Sequence, residues 1–424
     1  MGGNRPMDRS RRKKSEMTEA TYSPSRSHSS SLGHLSSNEK IDICRGLFAF
    51  LVVGAHAVDI SWVIHPEVPG QLSGWLHDLL LYVAAAGVYW VIGFFAISGY
   101  CIQLSVKRQI EGNAFPLRHY LLARLSRILP LYYLALLLAV VIERFMASAR
   151  PSCWPQGVNV NGLIAQLFII QNLTWTYGSF APSWSITNEM FYYLFYGVVV
   201  CVALRFGIRP TSLGMSLCLV LALILDWVYF FEYRTGYVRS PGLLFGLGII
   251  WFQGTLVAEH REWLRSSQAA CKTSALWPLV LIMAMAMWYS QGIHLEVVYL
   301  VLGVAFTLML MRFVVTESRR VKPVDRGRAG ALIRLLGLAS YPTYLFHGPI
   351  VMLTGSAILK WHLVSDWRLT WFILTSVGIG SGVLLGYLAE RPIMAWRAGY
   401  LKHLKQSRMV PAHGGAAPIL GIQQ

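Results

Sequence analysis

Residues 45–56 read RGLFAFLVVGAH, an arginine and a histidine closing a run of ten residues that carry no charge. The apolar stretch around them, 43–63, has the length of about 20 residues that a helix needs to cross the hydrocarbon of a bilayer. Arg45 and His56 are eleven positions apart. At about 3.6 residues per turn this is almost three turns, so both lie on one helix face, about 16 Å apart along its axis. Outward from this stretch the same pattern recurs, near 79–102, 121–142, 184–204, 212–231, 241–258, 276–290, 295–314, 333–357 and 369–389. The expectation is an all-α membrane protein of about ten transmembrane helices.

Composition agrees. Of 424 residues 55% are apolar and only 13% charged, and the mean hydropathy of +0.48 is positive, which excludes an ordinary soluble domain. The net charge of +17 does not point to nucleic acid, because Lys and Arg sit at segment ends and not on one cluster. They fall on alternate connections: Lys107, Arg108 and Arg118, then Arg205 and Arg209, Arg261, Arg265 and Lys272, Arg319 to Arg328, and Arg397 to Lys405. By the positive-inside rule both termini are cytoplasmic and the number of crossings is even. Residues 1–40, Ser-rich and basic, are expected to be a disordered cytoplasmic tail, followed by one membrane domain over 41–400 and a second tail over 401–424. The six cysteines imply no disulfide framework, and none clusters with His at metal-ligand spacing, so no metal site is expected. The connection 143–183, rich in Trp, Tyr and Phe, reads as a lid or wall over an outer cavity.

An ionisable group inside the bilayer costs about 2.5 to 3.5 kcal/mol even on the most lenient scale, so it faces a cavity or a partner. Arg45 reads either as an anchor snorkelling to the cytoplasmic surface or as a ligand-facing cation. His56 lies near mid-membrane, with Asp59 one turn on. Gly93, Ser98 and Gly99 allow the close approach of another backbone or of a long ligand. Arg118, Arg124 and Arg127 open the third helix as inside anchors or as a phosphate clamp, Arg127 being the deepest. Glu189 lies about 7 Å inside the start of the fourth helix, where a carboxylate caps the N-terminus or serves chemistry. In the ninth, Ser340, Tyr344 and His347 share one face. His56, Glu189 and His347 are therefore expected at similar depth in the outer half, an arrangement suited to proton transfer at a hydroxyl. A proton-coupled secondary transporter would use the same residue types, but it predicts internal repeats and paired interrupted helices, neither of which the chain shows.

Six ordered motifs then resemble one known family. RGLFAFLVVGAH is similar to the first-helix signature of the type 3 integral-membrane acyltransferases, and GFFAISGY (93–100) to their Phe-Phe-x-x-Ser-Gly element. RLSRILPLYY (124–133), WSITNEMFYY (184–193), LASYPTYLFHGP (338–349) and ERP (390–392) resemble the motifs that follow, over roughly residues 39–400. The resemblance implies transfer of an acyl group, most often acetyl, from cytoplasmic acyl-CoA to a hydroxyl of a cell-envelope or exported saccharide or glycolipid, in a bacterial inner membrane. A small lipophilic natural product is the alternative acceptor. Carried over by motif, His56 is the essential histidine and Arg45 its essential partner, while Ser98, Arg124 and Arg127 fall on the donor side; the expectation built on this is that His56 acts as general base and that Glu189 or His347 positions the acceptor. No permanently bound cofactor is implied. Pro342, within the ninth-helix motif, marks a position where the helix carrying His347 is open to a kink.

Overall fold

The first helix starts where its cap dictates. The Ser36 hydroxyl accepts from the Glu39 amide at 3.2 Å, and the Glu39 carboxylate accepts from the Ser36 amide at 2.8 Å, a reciprocal box that satisfies two otherwise orphaned donors. The computed structural model describes residues 35–110, 114–146, 157–229, 241–290, 295–317 and 327–409. Residues 1–34, the motif around Cys153 and residues 410–424 lie outside these. Helix α1 (Ser37–Ile64) thus begins inside the stretch expected as tail. It is followed by α2 (Val68–Gln71), α3 (Gly74–Ala85), α4 (Gly87–Lys107), α5 (Leu117–Met146), α6 (Val160–Leu167), a 3₁₀ turn (Gly178–Ser183), α7 (Trp184–Phe206), α8 (Pro210–Tyr229) and α9 (Pro241–Glu259). Then come α10 (Arg261–Ser266), α11 (Gln268–Ser274), α12 (Trp277–Tyr289), α13 (Leu295–Val315), α14 (Gly327–Trp361), α15 (Trp367–Leu385), a π-helical turn (Gly386–Glu390) and α16 (Arg391–Met409). No strand occurs among the described residues.

Each of the ten apolar segments read from the sequence is largely helical over its described residues. Eight helical stretches among the described residues are long and apolar enough to cross a membrane. Helix α8 adds a shorter apolar stretch, Pro210–Leu225. Helix α14 is long enough but more polar, for a physical reason. It packs against α1, α5 and α15, and its Ser340, Thr343, Tyr344 and His347 are buried against protein instead of lipid. It runs on as a helix through both Pro342 and Pro349.

Polar ends are tied down as well. Past the end of α13 the Glu317 carboxylate accepts from Arg261 at 2.6 Å and from Arg265. Burial alone would push its pKa up, but the two guanidiniums outweigh burial and hold it at about 2.

Helices α4 and α9 meet backbone to backbone. A β-carbon on Gly99 would fall on the Trp251 carbonyl, and one on Gly254 on the Ala96 carbonyl. Of the small residues noted in GFFAISGY, Gly99 therefore serves helix packing, the usual role of small residues at membrane helix interfaces. The contact is reciprocal, so neither helix can yield without moving Ser98, which α4 carries into the site. Gly99→Val is expected to cost about 3 kcal/mol, the upper range for overpacking. Thermal unfolding in detergent, followed by size-exclusion chromatography, should show the loss; an unchanged midpoint would contradict the packing.

Candidate active site

Two cavities are bordered by neighbouring residues of α14, Tyr344 for the first and His347 for the second. The first, about 100 Å³, is bordered by Arg45 of α1, Ser98 of α4, Arg124 and Arg127 of α5, Glu189 of α7 and Tyr344 of α14. Its arginines are held by different means. Arg124 donates to the Ser105 hydroxyl at 2.6 Å and lies over the Tyr120 ring, 5.4 Å from its centroid. Arg127 is within electrostatic reach of Glu189 and Glu390, and Glu390 also feels Arg45. Glu390 closes the π-helical turn between α15 and α16, a backbone irregularity of a kind found frequently at functional sites.

Glu189 accepts from the Ser98 hydroxyl at 3.0 Å and from the Tyr193 hydroxyl, while Trp251 donates its indole N–H to Ser98 at 3.2 Å. This cavity combines cationic forks with a half-buried carboxylate network and is suited to an anionic ligand with a polar arm.

The second cavity, about 290 Å³, holds the two histidines. The His56 and His347 rings stack with centroids 5.3 Å apart and planes 25° apart. His347 Nδ1 lies 2.7 Å from the Tyr344 carbonyl and 3.2 Å from that of Thr343. A carbonyl only accepts, so Nδ1 carries the proton and Nε2 of the neutral ring is left with its lone pair. Nε2 is buried and has no hydrogen-bond partner among the described residues. His56 Nδ1 is 3.9 Å from the Asp59 carboxylate, and its side chain is 37% exposed. An imidazole with an open face beside a carboxylate can take a proton and have the resulting charge stabilised.

One wall of the histidine cavity comes from the long connection. Gly178, Ser179, Ala181 and Pro182 border it, so its described part acts as the wall expected from the sequence. It is anchored at several points. The buried Glu143 carboxylate accepts from the Ser179 amide at 2.6 Å, Gln171 donates to the Ser183 carbonyl at 3.0 Å, and Tyr132 to the Gln166 carbonyl at 2.9 Å. Gly178 has φ of +41°, and a β-carbon there would strike the Glu143 carboxyl.

A family model described as an acyltransferase domain matches residues 38–390. The chain belongs to the acyltransferase 3 family. It is accordingly a multi-pass, membrane-bound acyltransferase. Neither the curated proteins nor the solved structures compared with it contain a match.

The residues singled out from this acyltransferase's sequence divide between the two cavities. Arg45, Ser98, Arg124, Arg127 and Glu189 border the arginine cavity, and His56 and His347 the histidine cavity. Arg118 is exposed and borders neither. Glu189 thus borders a different cavity from the histidines. The cause is where α7 begins: Ser185 is hydrogen-bonded to Tyr344, one turn before His347, and Glu189 lies about 6 Å further along the helix. Tyr193, Trp251 and Glu143 were not singled out by sequence reasoning. A buried carboxylate near the end of an apolar helix was the available signal for Glu143. Gly178→Ala should cost about 1–3 kcal/mol through its left-handed backbone, read as a lowered unfolding midpoint; an unchanged midpoint would show that the wall does not depend on this turn.

Proposed function

We propose that this acyltransferase moves an acyl group, most often acetyl in the family, from acyl-CoA on the cytoplasmic side to a hydroxyl of a cell-envelope or exported saccharide. The reading rests on one observation above all: a single face of α1 supplies Arg45 to one cavity and His56 to the other. Arg45, Arg124 and Arg127 take the phosphates or the amide-rich arm of the donor, and Ser98 lies on the same side. His56 is the general base. It removes the acceptor's proton, the oxygen attacks the thioester carbonyl, and collapse of the tetrahedral adduct expels the CoA thiolate, which recovers the proton from the imidazolium. Asp59 stabilises that cation, and the His347 lone pair receives a hydrogen bond that orients the acceptor. Glu189 is the counter-ion that keeps Arg127 aimed at the donor. In this reading both termini are cytoplasmic and the membrane is the inner membrane of a bacterium. A second acceptor class, a hydroxyl on a small lipophilic molecule, is favoured by the apolar part of the histidine cavity, bordered by Ile60, Val63, Val351 and Met352.

Mass spectrometry of envelope and secreted glycans from a deletion strain, its complement and a His56→Ala strain tests the reading. Acylation should vanish on deletion and fall at least about 100-fold in His56→Ala, the lower range for a lost general base. Glycan acylation that persists in both strains would refute the saccharide acceptor, and full activity of His56→Ala would remove the base. Arg45→Ala should raise the KM for acyl-CoA about tenfold, the scale of one charge-assisted contact, while the protein still inserts. Unaltered donor kinetics would contradict the role of Arg45.

A further inference from the structure

Donor and acceptor must meet, yet the arginines and histidines border separate cavities. The wall between them is thin at one place. Tyr344 borders the arginine cavity and His347, three residues on, the histidine cavity, a separation of about 4.5 Å along α14. The Tyr344 hydroxyl donates to the Pro182 carbonyl, which leaves its oxygen to accept from the Ser185 hydroxyl at 2.7 Å. Pro182 borders the histidine cavity and Ser185 the arginine cavity. The phenol therefore ties α14 to the start of α7 across the partition. Its ring lies 6.2 Å from the Phe94 centroid and 5.9 Å from the His347 centroid. At Gly348 a β-carbon would strike the Ser179 carbonyl, so the backbone beside Tyr344 is seated closely, and movement there falls to the rotatable bonds of the buried Tyr344 side chain.

We propose that Tyr344 is a latch between the two cavities, holding the thioester apart from the histidines until an acceptor occupies their cavity. Rotation of the phenol away from Pro182 and Ser185 opens the passage. The latch prevents a wasteful reaction in which water replaces the acceptor and acyl-CoA gives a free carboxylic acid and CoA thiol. What passes the latch rests on the acyl-transfer reading; the existence of the latch does not. Tyr344 is a positioning residue here, since its role is to separate reactants.

Two readouts test this. Cys101 borders the arginine cavity and serves as a reporter in a full-length chain whose other cysteines are replaced by serine. A membrane-impermeant thiol reagent applied to intact cells should label Cys101 about thirtyfold faster in Tyr344→Phe than in the parent, the scale of two lost hydrogen bonds. Ser185→Ala, which keeps the Pro182 contact, should give a smaller rise in the same direction. Purified Tyr344→Phe should also raise acceptor-independent acyl-CoA hydrolysis relative to transfer, a ratio that a merely structural loss would leave unchanged. Equal labelling in parent and variants overturns the latch, and Ser185→Ala decides alone if Tyr344→Phe does not accumulate in the membrane. Absence of all acyl-CoA turnover in the parent would instead refute the acyl-transfer reading, with the labelling result still deciding the latch.

Discussion

An ionisable side chain in hydrocarbon must find a partner or a cavity, and most of this architecture follows from how that constraint is met. Helix α14 is the clearest case. Its polar residues would be costly against lipid, so the helix is sheathed by α1, α5 and α15. The same sheathing brings His347 onto His56 and Tyr344 onto the start of α7. What makes the helix poor as an isolated membrane span makes it the centre of the site.

Charge is then separated by function. The cationic groups share one cavity with Glu189, and Arg45 and Arg127 lie within electrostatic reach of Glu390. Among the described residues that border the histidine cavity, Asp59 is the only carboxylate. A nearby cation lowers the basicity of an imidazole, so the placing of the guanidiniums at the other cavity is compatible with the base proposed for His56. The anchored 178–183 wall performs a related task by holding its carbonyls and amides to Glu143, Gln171 and Tyr344, so that the cavity is not filled by a collapsing loop.

Helix positions were legible in the sequence because apolar length is local information. The pairing of Arg45 with His56 on one face was legible for the same reason. Which groups share a cavity was only partly so. His347 could be put on one face of its helix by counting, and it stacks on His56. Glu189 could not, because the cavity it borders depends on where a 3₁₀ turn sets the start of α7, to which Tyr344 of another helix is hydrogen-bonded. Trp251 and Tyr193 were invisible for a further reason: aromatic residues in an apolar helix look alike until a neighbour such as Ser98 or Glu189 gives one of them a hydrogen-bond partner.

The two kinds of contact around the partition differ in how far they can give. Gly99 against Trp251 and Gly348 against Ser179 are seats of backbone on backbone, in which a shift of less than an ångström already meets steep repulsion. The Tyr344 bridge is made by one side chain with rotatable bonds and two hydrogen bonds, each worth about 1 kcal/mol net. Motion between the cavities is therefore concentrated in the phenol while the helices that carry arginines and histidines stay in register. A rigid frame with one soft element can admit a reacting group without losing the alignment of the groups that act on it.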